Sequence, residues 1–134
     1  MTQMVTGQLG AEEPYWDGLA AGKLMLPRCK GCGKWHWPAV WRCGECGSWD
    51  QEWLEQDFSG TVFTWNRTHH RFPGTEGLTL PYTALLVELG NGIRLQGLLE
   101  GDESDLRIGA PVAGKPARTP FGDVSIPSIR WSLA

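Results

Sequence analysis

Four cysteines lie in two matched pairs near the start of the chain, and they constrain its fold more than any other feature. The pairs are separated by ten residues, and a glycine follows each of them. A C-x-x-C pair can form a turn whose backbone N–H groups point at the sulfurs, and a following glycine supplies the positive φ that such a turn often needs. Four thiolates match the tetrahedral preference of Zn²⁺. The spacing therefore predicts one closed structural site formed by Cys29, Cys32, Cys43 and Cys46.

Two alternatives concern the chemistry of this site. Iron also suits four sulfur ligands, so a rubredoxin-like electron carrier stays open. His36 lies between the pairs and could replace one cysteine, although with four thiolates available a packing or surface role is favoured. A closed four-cysteine site leaves no position for water or substrate, so we do not expect catalysis at the metal.

Composition narrows the class of protein. The chain has 134 residues, of which 41% are hydrophobic and 20% charged, as in a globular protein of one domain's length. No apolar run is long enough to cross a bilayer and no secretory signal is visible, so we expect a cytoplasmic protein without a membrane partner. In that compartment paired cysteines indicate metal or redox chemistry. The formal net charge of −3 argues against general binding of nucleic acid.

The pattern predicts a mainly β fold in three segments, namely a leader with a short helix over residues 1–26, a rubredoxin-like zinc ribbon over 27–50 and an OB-fold β-barrel over 51–134. Trp16, Leu19 and Leu24 recur at helical spacing after Pro14, and Gly22 is the expected stop.

Short strands punctuated by glycine predict the barrel. A strand in GTVFTWNRTHH is expected to bend at Gly60. The segments TALLVEL and IRLQGLLE, joined by Gly-Asn-Gly, predict a hairpin. A strand is expected around Val112, and a final short strand carries Pro127 at an edge or bulge.

Aromatic and basic side chains crowd the cysteines. Trp35, Trp37, Trp41 and Trp49 exceed what a small module can bury, so one or two are expected at a boundary with another surface. Lys30, Lys34 and Arg42 lie in a stretch without acidic residues and are candidates for binding the phosphates of a small anionic ligand.

A catalytic constellation is not apparent in the sequence. It contains neither G-x-S-x-G, nor H-E-x-x-H, nor a phosphate-binding loop. His69 and His70 are expected on opposite faces of a strand, so they cannot jointly bind a metal.

The order of these features resembles the zinc-ribbon plus OB-fold acyl-CoA-associated proteins, long catalogued as a domain of unknown function. The matching segments are PYWDGLAAGKL, RCKGCG…RCGECGS, FSGTVFTW, PYTALLVEL…GIRLQG and DLRIGAPV, over about Pro14 to Trp131. Pro38-Ala39 stands where family members often have two prolines.

The resemblance implies a non-catalytic accessory subunit of a thiolase-superfamily enzyme that acts on acyl-CoA. Its partner would be a thiolase-like catalytic subunit of the lipid-transfer-protein type, with the retro-aldolases of steroid side-chain degradation favoured over acyltransferases and thiolases. The small subunit would contribute interface, stability and part of the CoA path. Candidate interface residues are Trp16, Leu19, Trp35, Trp37 and Trp41, and the phosphate candidates are Lys30, Lys34 and Arg42. The alternative is a module that binds single-stranded nucleic acid, since OB-folds and zinc ribbons both serve that purpose.

Overall fold

The computed structural model describes residues 10–134, so the predicted leader falls largely outside the described residues. A 3-10 turn at Gly10–Glu12 leads into helix α1 at Glu13–Ala20. Seven strands follow: β1 (Leu24–Cys29), β2 (Gln51–Gln56), β3 (Ser59–Thr68), β4 (Tyr82–Glu88), β5 (Arg94–Leu99), β6 (Pro111–Phe121) and β7 (Val124–Leu133). The mainly β fold predicted from the sequence is confirmed.

Helix α1 ends where the glycine predicts. Gly22 has φ 85°, and its N–H donates to the carbonyl of Leu19 while the Lys23 N–H donates to that of Gly18. These two bonds form a Schellman cap, which satisfies carbonyls at the end of the helix. Leu24, which the helical spacing assigned to the helix, is instead the first residue of β1. The cap turns the chain before Leu24, and a strand buries that side chain fully.

The five C-terminal strands close into a barrel in the order β3-β4-β5-β7-β6. The predicted hairpin consists of β4 and β5, which pair antiparallel from Glu88↔Arg94, next to the turn, to Ala84↔Leu98. Strand β3 pairs with both β4 and β6, while a short parallel pairing of β5 with β7 completes the closure. A closed five-stranded barrel of this kind is the predicted OB-fold. The final strand is longer than expected, since β7 pairs with β6 from Val124 to Leu133.

Strands β1 and β2 form a hairpin of their own, the ribbon hairpin. Strand β2 pairs with β1 in a separate two-stranded sheet, from Leu24↔Gln56 to Cys29↔Gln51. Residues 51–56 stand at the start of the segment predicted as the OB-fold, and they pair with the strand that leads into the first cysteine pair. This hairpin places the first cysteine pair at one end and the helix at the other.

The barrel core is built around Trp131, whose side chain is fully buried. A Cβ on Gly97 of β5 would lie 2.8 Å from the Trp131 indole nitrogen, and one on Gly114 of β6 would lie 2.7 Å from its ring. The two glycines therefore make the space that the indole fills. Tyr15 and Leu19 of α1 join the same core, so the helix packs on its own barrel. Within residues 10–134, no helix has the length and apolar character needed to span a bilayer.

Candidate metal centre

The four cysteine sulfurs converge at one end of the ribbon hairpin. All four Sγ atoms lie within 4.8 Å of one another. The Cys29 and Cys46 sulfurs are 3.5 Å apart, and those of Cys32 and Cys43 are 3.7 Å apart. A tetrahedron with Zn–S bonds of ~2.3 Å has edges of about 3.8 Å. The donor set therefore fits one tetrahedral metal ion, and each of the two measured edges joins a sulfur of the first turn to a sulfur of the second.

The two cysteine turns repeat each other side chain by side chain. The Arg28 Nε donates to the Gly33 carbonyl at 3.0 Å, and its guanidinium lies 5.8 Å from the Trp35 ring. The Arg42 Nε donates to the Gly47 carbonyl at 3.0 Å, with its guanidinium 5.9 Å from Trp49. Both glycines have φ near 80°. The signal in the sequence is R-C-x-x-C-G-x-W, which occurs twice. In both turns the arginine side chain contacts both the glycine carbonyl of the loop and the tryptophan ring.

His36 contacts one of the four clustered cysteines. Its side chain is only 8% exposed, and its Nε2 lies 3.3 Å from the Cys43 Sγ. Its backbone N–H donates to the Pro27 carbonyl at 3.0 Å, which holds the loop against β1. Such contacts to ligand atoms orient the ligand and tune its basicity. Of the packing and surface roles left open for His36, the structure shows the packing role, and its buried contact with sulfur was not evident from the sequence.

Within each cysteine turn the first thiol has a lowered pKa and the second a raised pKa. The Cys32 N–H, which bonds the Cys29 sulfur, lowers the pKa of Cys29 to about 6. The Lys34 N–H also acts to lower the pKa of Cys32, but burial and the neighbouring thiols together raise it to about 11. In the second turn the Cys46 N–H lowers the pKa of Cys43. One thiol of each turn thus ionises before the other, and the second thiol must also lose its proton before all four sulfurs can bind a metal.

The basic candidates for phosphate binding are engaged within the chain. Lys30 lies 3.9 Å from an Asp50 oxygen and Lys34 lies 3.5 Å from a Glu45 oxygen, with all four side chains largely exposed. The Arg42 side chain contacts the Gly47 carbonyl and the Trp49 ring of its own cysteine turn. Of the three candidates, Lys34 lines a polar crevice of about 330 Å³ between the ribbon and the β4–β5 turn.

The aromatic candidates divide into buried and exposed members. Leu19 is 3% exposed and belongs to the core of this chain, which corrects its assignment to a partner surface. Trp16, Trp35 and Trp37 are half-buried and pack against that core. Trp41 is 64% exposed. Of the five residues predicted for an interface, Trp41 presents the largest surface. Trp49, which was not among them, is 71% exposed.

The remaining histidines lie outside the metal centre. Strand β3 ends at Thr68, so His69 and His70 are exposed residues of the following loop, not of a strand. The His70 ring packs edge-on to Phe72 at 4.7 Å between centroids. The predicted alternation of these histidines across a strand is therefore wrong.

Family models match two consecutive parts of the chain. Residues 16–50 match the ChsH2 rubredoxin-like zinc ribbon domain, and residues 53–115 match the ChsH2 C-terminal OB-fold domain. The chain belongs to the ChsH2 family. The four-cysteine centre is thus the ribbon site of that family, and the expected resemblance is confirmed.

Two solved structures resemble this chain. A structure titled Ltp2-ChsH2(DUF35) aldolase matches with a TM-score of 0.79 and 25% identity, over 93% of this chain and 95% of that chain. A DUF35 family protein of unknown function from Sulfolobus solfataricus shares the fold, with a TM-score of 0.58 and 23% identity over 93% of this chain and 86% of that chain.

Two curated relatives are hydratase subunits. The 3-oxo-4,17-pregnadiene-20-carboxyl-CoA hydratase alpha subunit of Mycobacterium tuberculosis is 35% identical over 101 residues, which are 73% of this chain and 31% of the relative. A probable enoyl-CoA hydratase alpha subunit of Thermomonospora curvata is 31% identical over 106 residues, 78% of this chain and 33% of the relative. The chain thus spans about a third of the length of both.

Proposed function

We propose that this chain is the non-catalytic subunit of a hetero-oligomeric enzyme that acts on acyl-CoA, with a thiolase-like subunit supplying the catalytic residues. The observation that carries this is the match to the ChsH2 chain of the Ltp2-ChsH2 aldolase, which covers at least 93% of both chains. The favoured reaction is the retro-aldol cleavage of a steroid side chain held as a CoA thioester. The pregnadiene-carboxyl-CoA named for one relative supports a steroid substrate.

The placement of the ionisable groups supports an accessory role. The cysteine sulfurs face one another across a closed site, where Zn²⁺ would act as a structural metal. His36 bonds a cysteine sulfur, while His69 and His70 are exposed in a loop. Tyr15 is buried in the core, and burial raises its pKa. The cysteines, His36 and Tyr15 are therefore committed to the metal centre and to packing, which supports assigning the chemistry to the partner.

We further propose that Lys30, Lys34 and Arg42 lie along the CoA path, with Lys34 nearest to it. Lys34 shares its crevice with Arg94, so a phosphate there would meet two cations. Exposed ion pairs such as Lys34–Glu45 contribute little free energy, so a phosphate could displace the carboxylate.

In an assembled complex, Lys34→Ala should raise KM for the CoA thioester with little change in kcat. Lys115→Ala is the matched control, since Lys115 also makes an exposed ion pair.

The decisive experiment is co-expression of this chain with the thiolase-like protein encoded nearest to it. Co-purification, together with cleavage of a steroid β-hydroxyacyl-CoA into a ketone and a shortened acyl-CoA only when both chains are present, is expected. Failure of the two chains to associate contradicts the proposal.

A hydratase partner is a second candidate, because both curated relatives are hydratase alpha subunits. Hydration of an enoyl-CoA by the assembled complex, without cleavage of a carbon–carbon bond, would favour it. Single-stranded nucleic acid has less support, because the formal net charge of the chain is −3. Tight binding of oligonucleotides that weakens with salt would reverse this ranking.

A further inference from the structure

An open groove of about 530 Å³ lies between α1 and the ribbon. Its floor is one face of the ribbon hairpin, where Met25 pairs with Glu55 and Trp53 lies two residues before Glu55 on the same face. Helix α1 forms one wall through Pro14 and Gly18. Because three separate segments of the chain shape this groove, its form depends on the folded ribbon.

Trp41 forms the other wall of the groove. A Cβ on Gly10 would lie 3.9 Å from a ring atom of Trp41, so the indole lies over the start of the helix. The ring nevertheless stays 64% exposed. An exposed indole beside a concave apolar surface is typical of the anchors of protein interfaces.

Carboxylates surround the apolar floor. Glu13, Asp17 and Glu55 line the groove, where Lys23 is the opposing cation. Over residues 10–134, none of these three carboxylates lies within 4.0 Å of a basic side chain, whereas Glu45, Asp50, Glu88, Glu100 and Glu103 are all paired. With three carboxylates and one lysine among its lining residues, the groove is apolar at its floor and net negative at its rim.

We infer that this groove docks a segment of the catalytic partner subunit that carries an apolar side chain flanked by lysine or arginine. The inference rests on the proposed function and adds which face is used and which chemistry the partner presents. Charge complementarity selects this occupant, because a basic flank would pair the three carboxylates while the apolar side chain covers Trp41 and Met25. Complementary charge of this kind accelerates association and makes binding sensitive to salt.

The test measures the Kd between this chain and the co-expressed thiolase-like subunit. Trp41→Ser should weaken association at least tenfold, while Trp49→Ser, at an equally exposed indole outside the groove, should change it less than twofold. The triple variant Glu13→Gln, Asp17→Asn and Glu55→Gln should also weaken binding and reduce its dependence on NaCl. The control triple changes exposed carboxylates elsewhere, namely Glu76→Gln, Asp105→Asn and Asp123→Asn. It should retain both the wild-type affinity and its dependence on NaCl. Circular dichroism and zinc content confirm that each variant is folded.

The outcomes separate the inference from the proposed function. If the wild-type chains associate and Trp41→Ser binds as tightly as Trp49→Ser, the groove is not the docking face although the complex exists. If the wild-type chains do not associate, both ideas fail. If Trp41→Ser instead changes the oligomeric state of this chain alone, a second copy occupies the groove, which also overturns the inference.

Discussion

The Nε2 of His36 lies 3.3 Å from the Sγ of Cys43 and joins the loop between the two cysteine turns to a metal ligand. When Cys43 is a thiolate, the Nε2–H donates to its sulfur and stabilises the charge that the metal requires. The same residue bonds to β1 through its backbone, so one histidine connects the second cysteine turn to the strand that carries the first.

His36→Ala should weaken zinc binding by about 10- to 100-fold, as is typical when a residue that bonds a metal ligand is removed. Competition with a chromophoric chelator measures this affinity. His36→Gln can still offer an N–H and should recover part of the loss, whereas His69→Ala, at an exposed loop histidine, should leave affinity unchanged. Equal affinity of His36→Ala and the wild type would exclude the proposed support of Cys43.

Removal of the metal should loosen the ribbon before the barrel. The cysteine turns lie together at one end of a hairpin whose strands pair only with each other, while the five barrel strands close on themselves. After chelation, all four thiols should react with a thiol reagent and tryptophan emission should shift to the red. Most of the β signal in circular dichroism should remain. Cys32→Ser should behave as a partly chelated protein. If the barrel unfolded at the same chelator concentration as the ribbon, the barrel would not be independent of the metal.

Gly114→Ala should destabilise the barrel by about 1–3 kcal/mol, because a new methyl group would overlap the Trp131 ring and overpack the core. Gly97→Ala should cost at least as much, since its Cβ would also meet the Ile129 carbonyl oxygen at 2.6 Å. Urea unfolding measures both free energies. Gly90→Ala is the control, because a Cβ there meets nothing within 4 Å. A loss at Gly90 equal to that at Gly114 would refute the packing argument.

Tyr15 should make the protein sensitive to alkali. Burial raises the pKa of its phenol well above the ordinary value of about 10. As pH rises, Tyr15 therefore loses its proton in the unfolded chain before it does so in the folded one. Its contribution to the free energy of unfolding is complete below about pH 10 and is lost above it. The free energy of unfolding should fall between pH 9 and pH 11 more steeply for the wild type than for Tyr15→Phe. Parallel curves would show that Tyr15 ionises as freely in the folded state as in the unfolded one.

Much of the fold follows from local sequence rules. The cysteine spacing, the Gly22 stop and the Gly-Asn-Gly turn all predict structures that depend on a few neighbouring residues, and each is found where predicted. The end of the first helix was less well predicted, because Leu24 has a pattern that fits both a helix and a strand. Pairing with a distant strand decides between them, and that pairing is not visible in a local pattern.

The candidate site shows the same division. The sequence by itself predicted the four-cysteine cluster and the family, because cysteine spacing and turn-forming glycines are local requirements of such a site. Only the tertiary structure decided which of the candidate side chains stay exposed. Leu19 is buried because α1 packs on the barrel, while Trp41 remains open beside unpaired carboxylates. Exposure depends on which distant segments cover a side chain, so residue type and spacing could place the tryptophans near the metal but could not distinguish Trp41 from Trp37.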